Sequence, residues 1–436
     1  MTARHFPRIR GGQQIPDWLA AHTDRNMHQL GPRPQTLAEW SDVGLELPNL
    51  ADMRRFRIER LRAELRGNDC DAALLYDPVN IRYATDTTNM SVWTSHNAVR
   101  YVLVATDGPV VVFEYSEGEF LSAHSEAVDE IRPATSLVPF YVGDRVGEIA
   151  ARWAAEIVDL LDASARSGRR RLAIDTLSLD SIRALEDLDV DLVSGMQILE
   201  DARLVKGPDE LLAMRCAVDS CHRDIEDMRA LLEPGVTEVE LWARLQQANF
   251  ERFGEWIETR LLSSGPRTNP WYQEASSKVV EAGELVAFDT DLIGAYGMCV
   301  DMSRTWICGD QKPTSSQLDV FERAREMIDR NMPLFVPGIT YRELTEKMFY
   351  PDPNVFNGYT VLAHGVGLAD EYPSIYIREK WDHTGFDGVV EAGNVFSIEA
   401  YCGRRSGGEG VKLEEQIIVT DAGPELLTTY PVELTR

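Results

Sequence analysis

Positive charge is scarce in this chain. Over 436 residues, 44 Lys and Arg stand against 71 Asp and Glu, a net charge of −27. That balance argues against nucleic acid and anionic membrane surfaces as partners, because both are held by basic patches. Histidine numbers only 8, so a site needing several imidazoles has few to draw on. The 6 cysteines (Cys70, Cys216, Cys221, Cys299, Cys308 and Cys402) include no C-x-x-C pair, and they read as reduced thiols of a cytoplasmic protein. No apolar run of about 18 residues occurs, so no membrane-spanning helix is expected. The opening M-T-A-R-H-F-P-R-I-R lacks the apolar centre of a secretory signal.

What is present is ample core material: 44% hydrophobic residues and 9 Trp, in a length that favours two domains. Residues 1–47 are polar and punctuated by Pro and Gly, and they read as an extended arm. Met53, Phe56, Leu61 and Leu65 then recur at helical spacing, with Gly67 as a stop. A-A-L-L-Y and Y-V-L-V-A-T-D-G-P-V-V-V-F-E-Y read as strands, the second folded in two at Asp107-Gly108. Val146, Ile149, Trp153, Ile157 and Leu161 mark another helix, and R-R-L-A-I-D-T another strand. This alternation predicts a small α/β domain over residues 48–200. Lys206-Gly207-Pro208-Asp209-Glu210 reads as a helix start within a second domain, residues 201–436.

That second domain contains an echo. P-G-V-T-E-V-E-L begins at Pro234 and P-G-I-T-Y-R-E-L at Pro337, 103 residues later. Each is a turn followed by a capping box, Thr237 with Glu240 and Thr340 with Glu343. The repetition points to a duplicated α/β half with a site between the two halves.

Six candidate metal ligands straddle the second echo: Asp289 and Asp291 in V-A-F-D-T-D, Asp301 in D-M-S-R-T, His364 in H-G-V-G-L, Glu399 in F-S-I-E-A and Glu414 in V-K-L-E-E-Q. Strand residues two apart share a face, so V-A-F-D-T-D is expected to aim both acids at one point. Gly294-Ala295-Tyr296-Gly297 would turn the chain back, with C-V-D-M-S as the paired strand carrying Asp301. A second hairpin across R-R-S-G-G-E-G would bring Glu399 near Glu414. Burying five carboxylates as bare charges is prohibitive. Two metal ions among them remove that objection and create a centre that can polarise a substrate.

The order D…D-x-S-R-T…H-G-x-G…E…E-E resembles the pita-bread fold of methionine aminopeptidase, prolidase, aminopeptidase P and creatinase, from Lys206 to Arg436. The resemblance implies α/β architecture: a creatinase-like N-terminal domain, then a metalloenzyme domain of two pseudo-symmetric halves. Prolidase-type peptide hydrolysis, or a creatinase-like reaction on another small zwitterion, is the alternative function it brings. The departures are specific. The peptidases carry two further histidines, and here Trp271 stands near the first position and Leu368 follows H-G-V-G at the second. The Asp291-to-Asp301 gap is ten rather than eleven, and Asp289 is an additional acid.

S-G-P-R-T-N-P-W, W-I-C-G-D-Q-K-P, H-G-V-G-L-A-D-E-Y-P and Y-A-T-D-T-T-N-M-S-V-W-T-S-H-N are similar to the dimethylsulfoniopropionate lyase branch of this fold, from about Leu47 onward. That resemblance implies a carbon–sulfur lyase acting on a small zwitterionic sulfonium, with two metal ions, iron favoured, held by the six ligands. It further implies Asp370 as general base, Trp93 and Tyr359 as pocket lining, and a homodimer. A sulfonium calls for an aromatic wall, and the base should lie near the metals without ligating them. Charge counting leaves one point open. Five carboxylates against two divalent ions leave one surplus negative charge, which suits an anionic substrate poorly; two trivalent ions would leave one positive.

Overall fold

The structure, a computed structural model, describes residues 8–9, 32–164 and 169–435. The described residues divide into two compact units, residues 8–9 with 49–164 and 169–203, and residues 32–48 with 204–435.

The first unit is built on a seven-stranded sheet. Its strand order is Arg8–Ile9, Glu130–Pro133, Val110–Glu114, Tyr101–Ala105, Ala72–Leu75, Arg171–Ile174 and Asp191–Ser194. Tyr101–Ala105 runs antiparallel to both neighbours, and the remaining pairs are parallel. The expected first helix spans Leu50–Gly67, capped by Asn49, whose side chain accepts from Ala51 N and Asp52 N. It buries Met53, Leu61 and Leu65 of the expected stripe together with Ile58, while Phe56 is half-buried. Helix Val146–Ser164 places Trp153 and Ile157 against Tyr101 and Phe113 of the sheet.

Residues 34–42, read from sequence as part of an extended arm, form a helix, Pro34–Asp42. A single large apolar residue anchors it. Trp40 is fully buried, its indole N–H donates to Ser220 Oγ at 3.2 Å, and its ring stacks on Tyr296 at 5.8 Å. Thr36, one turn earlier, is buried with it, but its polar side chain adds no apolar repeat to read from the sequence. The remainder of residues 1–31, apart from 8–9, lies outside the described residues.

The second unit holds the two echoing halves. Helix Pro208–Ala230 is followed by helix Glu238–Glu251, and helix Ser315–Asn331 by helix Tyr341–Lys347. Both capping boxes form: Thr237 N donates to Glu240 Oε2 at 2.8 Å, and Thr340 N to Glu343 Oε2 at 3.0 Å. Each cap is also bridged to a distant residue, Thr237 to Val279 and Thr340 to Val389. Those partners open a second echo, V-V-E-A-G, at Val279 and again 110 residues later at Val389. Its glycines, Gly283 and Gly393, take φ of +85° and +90°, a conformation that keeps side-chain-bearing residues out of the turn. Each turn feeds a central strand, Leu285–Asp289 or Val395–Arg404. Asp289 and Glu399 thus fall at equivalent points of the two halves.

Around the second strand a six-stranded sheet runs Asp370–Tyr376, Val361–Val366, Val395–Arg404, Gly410–Thr420 and Gly423–Leu426, with Phe356–Asn357 also paired to Val395–Arg404. Phe321, Phe335, Phe396, Leu413 and Ile417 fill its core. No helix among the described residues is long and apolar enough to cross a membrane.

Candidate metal centre

Glu399 and Glu414 are direct cross-strand partners in the antiparallel pair Val395–Arg404 and Gly410–Thr420. His364 enters from the neighbouring strand Val361–Val366. Its Nε2 lies 3.1 Å from Asp301 Oδ2, 3.5 Å from Glu399 Oε1 and 3.7 Å from Glu414 Oε1. Its other ring nitrogen, Nδ1, is 3.0 Å from the Gly365 carbonyl oxygen, which fixes the ring's orientation. The strand bulges between His364 and Gly365. A Cβ at Gly365 would meet the Tyr372 carbonyl oxygen at 2.3 Å, so this tight return requires glycine. It brings Asp370, at the start of the next strand, back beside His364.

The first hairpin differs from its sequence reading. Leu285–Asp289 pairs with Ser303–Ile307, and Asp289 stands opposite Ser303. The strand ends there. Asp291 lies beyond it with φ of +37°, and Asp301 sits between the short strand Cys299–Val300 and Ser303–Ile307. Strand alternation therefore does not place Asp289 and Asp291 on one face, because the chain kinks between them. Asp291 Oδ2 instead accepts from Thr259 Oγ1 at 2.5 Å.

Three overlapping triads bring their ligand atoms within 4.8 Å of one another: Asp301, His364 and Asp370; His364, Glu399 and Glu414; Asp289, Asp301 and Glu414. Five of the six expected ligands are thus gathered, together with the expected base. Asp291 stands outside these triads, though its charge couples to Asp370 and Glu414. Asp289, Asp301 and Glu399 are held above the usual carboxylate range by burial and then by the charge of Glu414. Asp291 is pushed up to about 7 by burial and then by Asp370. Burial disfavours the His364 imidazolium, but Asp370, Asp301, Glu399 and Glu414 outweigh it and raise its pKa.

Sequence reasoning missed Lys412. Its ammonium is fully buried and lies 2.8 Å from Asp289 Oδ2, 2.6 Å from Glu399 Oε2, 2.7 Å from Glu414 Oε2 and 2.8 Å from Ser303 Oγ. The signal was available: Lys412 and Glu414 are two apart in a continuous strand and share a face.

This donor set fits metal ions. Asp289 Oδ1, Asp301 Oδ1 and Glu414 Oε1 are buried without a hydrogen-bond donor, a costly state that a cation relieves. Carboxylate oxygens with one imidazole suit iron, manganese, cobalt or zinc. The residues standing near the expected histidine positions are apolar and buried, Trp271 at 5% exposure and Leu368 at 4%. Among the described residues, His364 is the one imidazole in the triads.

Tyr359 is half-buried. Its ring stacks on Tyr272 at 5.2 Å, and Lys412 Nζ lies 5.4 Å from its centre. Trp93 belongs to the first unit, where its ring meets Tyr115 and Tyr141 edge-on at 5.8 and 6.4 Å.

The family model of the Creatinase/Prolidase N-terminal domain matches residues 57–205, and that of Metallopeptidase family M24 matches residues 213–421. The dimethylsulfoniopropionate lyase DddP of Roseovarius nubinhibens is 41% identical over 416 residues, covering 94% of this chain and 93% of that protein. The protein of the same name from Roseobacter denitrificans matches with the same identity and coverage. Among solved structures, an Xaa-Pro dipeptidase from Bacillus anthracis superposes with a TM-score of 0.69 at 24% identity, over 88% of this chain and 99% of that one. The prolidase from Pyrococcus horikoshii gives 0.68 at 20%, over 87% and 99%. These two structures speak to the fold.

Proposed function

The chain belongs to the DddP-type dimethylsulfoniopropionate lyase family of the creatinase/prolidase M24 superfamily, and on that premise we propose that it cleaves dimethylsulfoniopropionate to dimethyl sulfide and acrylate. The reaction is a base-initiated β-elimination. Asp370 takes the proton from the carbon beside the substrate carboxylate. The C–H electron pair becomes the new double bond, the C–S bond breaks, and its electrons leave with neutral dimethyl sulfide.

The observation that carries this mechanism is the setting of Asp370. It is the residue of the triads with an exposed surface, while its carboxyl lies enclosed within 4.8 Å of the ligand atoms of Asp301 and His364. Burial within the surrounding walls and the charge of Glu414 outweigh His364 and raise its carboxyl above the usual range. A carboxylate whose pKa is raised accepts a proton more readily than an ordinary Asp.

Asp289, Asp291, Asp301, His364, Glu399 and Glu414 would hold two metal ions, iron being the one favoured by the family resemblance. Bound there, the ions supply positive charge that polarises the substrate carboxylate and acidifies the adjacent C–H. Trp93 is assigned to the sulfonium on chemistry, because a permanent cation favours an indole face. Tyr359, with a cation already beside its ring, is assigned to the carboxylate end. The working form is taken as a cytoplasmic homodimer.

Purified enzyme supplied with dimethylsulfoniopropionate is expected to release dimethyl sulfide into the gas phase and to leave a panel of Xaa-Pro dipeptides intact. Dipeptide cleavage without dimethyl sulfide would overturn the reading.

A further inference from the structure

Lys412 has no part in the chemistry above, yet its ammonium sits among three of the carboxylates assigned to the metals. It takes one oxygen from each of Asp289, Glu399 and Glu414, at 2.6 to 2.8 Å. The partner oxygens Asp289 Oδ1 and Glu414 Oε1 remain without a donor. Two rings also lie beside it, Tyr359 at 5.4 Å and Trp271 at 5.9 Å from the ammonium. Both rings attract a cation and keep water away from it. Trp271 stands near one of the positions where, by the resemblance, the peptidases carry histidine. A neutral aromatic wall there leaves Lys412 as the fixed positive charge on that side.

We infer that Lys412 is a built-in third cation of the metal centre, which makes the loaded site receptive to a monocarboxylate. This rests on the two-metal reading above. Five carboxylates and two divalent ions carry one surplus negative charge, which the Lys412 ammonium cancels, leaving the ionised base Asp370 as the uncompensated charge. An anionic substrate then approaches a centre with one net negative charge rather than two. The same charge repels a sulfonium, so a zwitterion enters in one orientation, carboxylate toward Lys412. Lys412 is fully buried and its ammonium is already engaged, so it acts through the carboxylates it holds; it is a positioning residue.

The test uses metal-loaded enzyme, with acrylate as the anionic probe and acrylamide as its neutral counterpart, both titrated calorimetrically. Lys412→Met removes the charge, and Lys412→Gln removes the charge but retains hydrogen-bond donors. Both variants are expected to keep two metals per chain and to lose at least tenfold in acrylate affinity, with acrylamide binding unchanged. Lys412→Arg is expected to restore acrylate binding. Wild-type acrylate affinity in both neutral variants would overturn the inference. So would recovery in Lys412→Gln alone, which would make Lys412 a hydrogen-bond donor, and so would loss of metal or fold in both, which would make it a structural strut. Dimethyl sulfide release by the unaltered enzyme tests the underlying reaction separately.

Discussion

Glu399 and Glu414 face one another directly across two antiparallel strands, both buried in the sheet. Like charges in that position destabilise a strand pair unless a cation lies between them. Lys412 supplies one, and the metals would supply the rest. Removing metal with a chelator is therefore expected to lower the melting temperature and abolish turnover, with both restored on reloading. Metal that binds only the folded chain contributes about 2.7 kcal/mol when free metal exceeds its Kd a hundredfold. Glu414→Gln should hold fewer than two metals per chain by elemental analysis; full occupancy would remove Glu414 from the ligand set.

Metal loading should depend on pH through Asp291, whose carboxyl is pushed up to about 7. Below that value a proton competes with the metal. At fixed free metal, occupancy is expected to fall as pH drops through about 7. In metal-free protein the sign for stability is opposite. A raised carboxyl contributes stability that is present below its ordinary value near about 4 and is lost as pH rises through about 7. Metal-free enzyme should accordingly melt lower at pH about 8 than at pH about 5, and loaded enzyme should not follow that trend. Occupancy that does not change with pH would place Asp291 away from the metals.

Asp370→Asn keeps the size of the side chain and removes its basicity. Turnover is expected to fall by about two to four orders of magnitude, the usual contribution of a positioned base, while metal content stays at the wild-type level. Loss of metal instead would make Asp370 a ligand, a role its place beside Asp301 and His364 also permits.

Much of this site was legible in the sequence, because acids within apolar strand runs have few explanations. Asp301, His364, Glu399 and Glu414 converge as their motifs implied, and the capping boxes at Thr237 and Thr340 formed where they were read. What escaped notice had physical causes. Asp291 was read through strand alternation, but the strand ends at Asp289 and the chain kinks to φ of +37°. The same rule, valid in the unbroken Gly410–Thr420 strand, would have paired Lys412 with Glu414. V-V-E-A-G is legible as a repeat at 110 residues, but its offset differs from the 103 residues of the P-G-(V/I)-T echo, so a search at one fixed period finds only one of them. Helix Pro34–Asp42 buries Thr36 and Trp40 one turn apart, and with only one of the two apolar the stripe is too thin to detect by hydrophobic period.

Trp93→Ala should raise KM by about two- to thirtyfold while the protein stays folded, since cation–π attraction to a sulfonium is on the order of 0.5–2 kcal/mol and grows as water is excluded. Circular dichroism separates that outcome from loss of the aromatic packing with Tyr115 and Tyr141. Unchanged kinetics in a folded variant would return Trp93 to a packing role.

The most direct measurement follows both products by proton NMR as dimethylsulfoniopropionate is consumed by metal-loaded and by metal-stripped enzyme. Metal-dependent elimination predicts acrylate and dimethyl sulfide in equal amounts from the loaded enzyme and neither from the stripped one. Equal turnover after stripping, or dimethyl sulfide accompanied by a hydroxylated acid in place of acrylate, would contradict it.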